Sequence, residues 1–143
     1  VIFEMDVSAL KELVGKLPET DYQLIVQFTA SWCKPCKSIK DLCMSLAERL
    51  PSKVLYALID IDENLDLYLF MKGKKMLSGV PCIMRWDQSE KSGMDWFVAD
   101  QIVTGADEEM VKDLFANSDS RVTTESESKK LAVSMDGLSS ATV

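Results

Sequence analysis

The sequence predicts an α/β domain: a central mixed β-sheet flanked by helices on both faces. Two observations carry this. Strand-length runs rich in β-branched and aromatic residues, "YQLIVQFTA" and "KVLYALIDID", alternate early in the chain with segments whose apolar residues recur at helical spacing. Later, "VPCIMRW" and "DWFVADQIVTG" stand on either side of a short polar stretch, the pattern of an antiparallel hairpin. Parallel and antiparallel pairings then share one sheet, covered by helices.

Taken in order, "VIFEM" reads as a short apolar strand. Asp6 and Ser8 are candidate caps for a helix on which Leu10, Leu13, Val14 and Leu17 share a face, and Pro18 closes it. "YQLIVQFTA" is apolar enough for a central strand. From Pro35 to Leu50, Ile39, Leu42, Cys43, Leu46, Ala47 and Leu50 keep one helical face, ended by Pro51. After the second strand, Asn64 is placed to cap a helix through "LDLYLFMKG" with Gly73 as its stop. Asp107 caps a last helix carrying Met110, Val111, Leu114 and Phe115 on one face. The domain is expected to span residues 1–116. Residues 117–143, rich in Ser and Thr and without aromatics, read as a mobile tail too polar to order itself.

Composition narrows the function. The net charge of −7 argues against nucleic-acid binding, which needs a basic footprint. No apolar run approaches the roughly 18–20 residues of a membrane span, so no membrane partner is expected. The start lacks a basic region followed by a long apolar one, so it does not resemble a secretion signal; beginning on Val1, it leaves an upstream targeting segment open. Histidine is absent, which removes every Ser-His and Cys-His hydrolase reading and the commonest metal ligand. Four cysteines are too few and too unevenly placed for a disulfide scaffold, and their use slightly favours a reducing, cytoplasmic setting.

The chemistry concentrates in "SWCKPCKS". A C-x-x-C where a buried strand turns into a helix places the first cysteine beside unpaired backbone N–H groups, which favour a thiolate. Pro35 suits the first turn, where its missing N–H would be unpaired anyway. The second cysteine lies a turn further in, able to resolve a mixed disulfide. Trp32 offers a flat apolar surface beside the pair, which is expected to be exposed. A zinc site usually needs four ligands; no second cysteine pair has the spacing, and no metal or cofactor is expected, although a cluster shared by two chains stays open. Cys43 reads as core, Cys82 as buried, Asp60 and Asp62 as the end of a strand and start of a loop. Trp86 and Trp96 are expected to pack across the hairpin.

On these residues the chain resembles the thioredoxin family. "WCKPC" follows its W-C-x-P-C pattern after a central strand, "GVPC" matches the glycine, apolar residue and cis-proline opposite it, and the strand–helix order from Val1 to Phe115 matches the thioredoxin fold. The longer segment around "DQSEKSGMDWF" is similar to nucleoredoxin- and tryparedoxin-like members, although their W-C-P-P-C is absent. The resemblance implies that Cys33 is the nucleophile and Cys36 the resolving thiol. It implies that Trp32, Val80 and a cis Pro81 shape a groove for an extended peptide. The partners implied are protein disulfides and a reductase or other dithiol donor. The alternative is a thioredoxin-fold binding module that captures peptides without turnover.

The departures fall on the tuning residues. Many thioredoxins carry a buried aspartate beneath the resolving cysteine, paired with a lysine on the next strand; here those positions read Gln27 and Leu58. Both charges are missing together, so none is left buried alone. Gln27 hydrogen-bonds but takes no proton. Lys34 replaces the usual glycine between the cysteines ahead of Pro35, and Lys37 follows the pair. Their ammonium groups are expected to stabilise a Cys33 thiolate and make the couple less reducing than a typical thioredoxin.

Overall fold

The computed structural model describes residues 1–88 and 95–123. The chain divides into two compact units, Val1–Val111 and Lys112–Val143. In the first, helix α1 (Val7–Lys16) and a 3-10 turn (Leu17–Glu19) lead to strand β1 (Gln23–Thr29). Helices α2 (Lys34–Ser38) and α3 (Lys40–Glu48) cross to β2 (Val54–Asp60), and α4 (Leu65–Gly73) precedes β3 (Cys82–Trp86) and β4 (Gln101–Thr104). The last helix, α5 (Glu108–Thr123), starts with Asp107 Oδ1 accepting from the Met110 N–H at 3.1 Å.

The sheet has the order β2-β1-β3-β4, with β1 parallel to β2 and antiparallel to β3, and β3 antiparallel to β4. β1 is central and buried along almost its whole length, as a strand covered on both faces must be. Its side chains alternate. Leu24, Val26 and Phe28 join α1, α4 and the even-numbered residues of β3 in one apolar cluster. Gln23, Ile25 and Gln27 face the other way, where α3 supplies the buried Cys43. Helices thus cover both faces.

Local differences from the sequence reading each have a physical cause. "VIFEM" forms no strand; Ile2 alone bridges Ala57, and the Met5 N–H is taken by Asn64 Oδ1 at 3.0 Å rather than by a strand neighbour. That bond also explains why Asn64 gives its own helix no side-chain cap: its Nδ2 donates to the Asp60 carbonyl at 3.0 Å instead. The helix expected from Pro35 to Leu50 breaks at Ile39, whose ψ of 4° interrupts the ladder while its side chain stays buried. α4 does end on Gly73, but the left-handed residue past its end is Lys75 at φ 64°, letting Met76 N–H reach the Met71 carbonyl at 2.9 Å. The strand expected across 95–105 is confined to β4. On α5, Val111 is buried but Met110 is exposed.

In the second unit α5 continues to Thr123, past the expected boundary at residue 117, and Leu114 and Phe115 are buried. The rest of the expected tail, and most of the polar stretch before Trp96, lie outside the described residues.

Candidate active site

The end of β1 delivers the cysteine pair. After Thr29 the chain turns through Ala30–Cys33, closed by Cys33 N–H to Ala30 carbonyl at 3.2 Å, and α2 starts at Lys34. Cys33 is the N-cap: its Sγ accepts from the Cys36 N–H at 3.2 Å, one of the orphan donors of a first helical turn. Pro35, in that first turn, costs no hydrogen bond. Cys33 and Cys36 form a disulfide, their Cα atoms 5.2 Å apart. Both are only 4% exposed, so the pair is more shielded than the sequence suggests.

The Val80–Pro81 peptide bond is cis, and the Val80 carbonyl oxygen lies 3.6 Å from Cys33 Sγ. The Pro81 carbonyl accepts from the Gly105 N–H at 2.9 Å. Gly105 sits at φ 100°, a conformation that side-chain-bearing residues rarely adopt, and the bond ties the end of β4 to the Pro81 loop. Trp32 is 65% exposed, and its Nε1–H donates to Asp62 Oδ2 at 2.9 Å. Asp60 and Asp62 do begin a loop, Asp60 Oδ1 accepting from the Asp62 N–H at 2.8 Å, but that loop also steadies the indole. The clue lay in β2 running parallel to β1, which brings both strand ends to one edge.

The inner side is polar and buried. Gln27 pairs with Leu58 across β1 and β2, so the two replacement residues do sit side by side. Tyr56, diagonally placed on the same face, donates its hydroxyl to Gln27 Oε1 at 2.7 Å. Cys43 reaches the same amide, and burial pushes its thiol up to about 11. Burial also raises the Tyr56 phenol well above its ordinary range. A cavity of about 500 Å³ adjoins these groups, lined by Cys36, Gln27, Cys43 and Tyr56 and opening among Lys37, Lys40 and Asp60. Sequence reading found Gln27 but not Tyr56, although strand alternation from Leu58 puts it on that face.

Cys82 is fully buried, its thiol raised by burial, with Thr104 Oγ1 at 3.8 Å. Trp86 donates to the Trp96 carbonyl at 3.3 Å, but the Trp96 ring stacks on Phe70 of α4, centroids 5.5 Å apart. Lys34 and Lys37 are exposed. Among the described residues no three Cys, Asp or Glu side chains converge as a metal site, and no helix is long and apolar enough to cross a membrane.

Comparison with known proteins matches this geometry. A model of the thioredoxin family covers residues 2–108. The chain is 32% identical to a thioredoxin H-type of Ricinus communis over 85 residues, 52% of this chain and 71% of that protein. It is 33% identical to thioredoxin H1 of Arabidopsis thaliana, with 52% and 74% covered. Among solved structures, Trichomonas vaginalis thioredoxin superposes with a TM-score of 0.57 at 21% identity, over 81% of this chain and 96% of that one. Fasciola hepatica thioredoxin does so with 0.60 at 19%, over 81% and 98%. At these identities the superpositions speak for the fold.

Proposed function

The chain belongs to the thioredoxin family and is a thiol–disulfide oxidoreductase, and on that premise we propose how its residues divide the work. Cys33 attacks a protein disulfide and Cys36 resolves the mixed disulfide that results. The observation that carries the assignment is the Cys36 N–H held 3.2 Å from Cys33 Sγ. A donor fixed on that sulfur stabilises its thiolate, which is both the attacking form and the better leaving group.

Trp32, Val80 and Pro81 form the groove in which the substrate lies against the pair. Trp32 gives exposed aromatic area held in place by Asp62, and the Val80 carbonyl marks where a peptide backbone would run past Cys33. Lys34 and Lys37 add exposed positive charge that favours the Cys33 thiolate and makes the couple less reducing. Protein disulfides are the substrates, and a dithiol reductase restores the reduced pair. The cytoplasm is the compartment we favour.

The test is a trap. Cys36→Ser, incubated with a disulfide-bonded protein, should accumulate a reductant-sensitive adduct on Cys33, whereas Cys33→Ser should form none. Adducts mapped to Cys36 in Cys33→Ser, with none on Cys33 in Cys36→Ser, would reverse the roles.

A further inference from the structure

If Cys36 is the resolving thiol, as proposed above, it must lose a proton from a position only 4% exposed. The cavity beside it is the evident way out. Its volume of about 500 Å³ exceeds many times the roughly 30 Å³ that one water occupies in the liquid, and polar groups line it. We propose that Tyr56 is a positioning residue for proton release from Cys36: its hydroxyl holds the Gln27 amide, and the two together anchor the cavity water that takes the proton.

Neither member of the pair is itself the acceptor. An amide takes no proton at neutral pH, and the buried Tyr56 phenol stays protonated because burial penalises its anion. What the pair supplies is orientation. Gln27 sits between the Tyr56 hydroxyl on β2 and the Cys43 thiol on α3, so its side chain is fixed from both sides. Cys43 is neutral up to about 11 and does not repel a new thiolate on Cys36. The charged groups around the cavity lie toward its mouth: Lys37 from α2, Lys40 from α3, Asp60 from the end of β2, with Glu4 and Glu63 beyond. The ammonium groups favour the thiolate, and the carboxylates are acceptors for a proton leaving with water.

The step balances without another reactant. Water takes the proton from the Cys36 S–H, and the thiolate attacks Cys33 Sγ in the mixed disulfide. The Cys33–Cys36 bond forms as the bond from Cys33 to the substrate sulfur breaks. The substrate leaves as a thiolate and takes a proton from solvent; its disulfide is reduced and the cysteine pair oxidised.

The experiment mixes the reduced full chain rapidly with 5,5′-dithiobis(2-nitrobenzoate). Attack by Cys33 releases the first thionitrobenzoate and resolution by Cys36 the second, so the two steps separate in one trace. In Tyr56→Phe the second rate relative to the first should fall about tenfold at neutral pH, a modest part of what general acid–base assistance contributes. The deficit should close as pH rises past about 9, where hydroxide removes a thiol proton directly. Gln27→Leu should reproduce that profile, and Gln27→Asp should accelerate the second step. A second phase unchanged in Tyr56→Phe, or slowed equally at every pH, overturns the proposal. Absence of a first phase in the wild-type chain would instead overturn the Cys33/Cys36 assignment on which it rests.

Discussion

Toward Pro81, Cys33 meets the Val80 carbonyl next to the exposed Trp32; toward the interior, Cys36 lines a cavity together with the buried amide–phenol pair of Gln27 and Tyr56. The outer side is set by local geometry: a turn at Ala30, a proline in the first helical turn, a cis bond at Val80–Pro81. The inner side is set by sheet register, which puts Gln27 against Leu58 and leaves Tyr56 to satisfy the amide. The two sides serve different demands. Attack on a substrate needs an accessible, stabilised sulfur, and resolution needs a path for a proton out of a buried one. A chain can therefore keep the first arrangement and rebuild the second.

The inner side should show itself first in stability against pH. Cys43 has a folded pKa of about 11 against an ordinary value of 9.0. Below pH 9 both folded and unfolded chains hold this thiol neutral, and its contribution is complete. Between 9 and 11 the unfolded chain ionises first, so stability is lost as pH rises. The loss should reach roughly 1–2 kcal/mol, allowing for screening by solvent in the cavity. Denaturant unfolding of the reduced protein at pH 8 and at pH 10 measures it, and Cys43→Ala should flatten the slope. Equal slopes in both proteins would mean that Tyr56 or Cys82, also raised by burial, carries the effect.

The outer side should respond in substrate choice. Trp32→Ala should lower kcat/KM for a protein disulfide about tenfold, the order of a buried tryptophan contact at an interface. A small aromatic disulfide, which needs no groove, should be affected far less. Asp62→Asn, which keeps the indole but weakens its anchor, should show the same pattern more faintly. Equal losses on both substrates would remove Trp32 from the groove.

The same division decides what could be read from sequence. β1, β2 and β3 were legible because short, largely apolar runs with β-branched or aromatic residues, bounded by turn residues, read as strands. The pair at 33 and 36 was legible because residue type, spacing and the turn from strand to helix all agree. Features that depend on distant partners were not. Asn64 looks like a helix cap until Met5, far away in sequence, claims its side chain. Tyr56 looks like one more strand aromatic until register places it beside Gln27. The break at Ile39 is hidden because its side chain keeps the helical apolar pattern while its backbone leaves it.

In the reading proposed above, Cys33, with the Cys36 N–H fixed on its sulfur, is the reactive thiolate of the pair. Alkylation of the reduced protein by iodoacetamide across pH, with the modified cysteine mapped at each point, tests it directly. Cys33 should react first, with a midpoint below that of an ordinary thiol, and Lys34→Gly should raise that midpoint. Cys36 reacting first, or both thiols titrating together at the ordinary value, would contradict it.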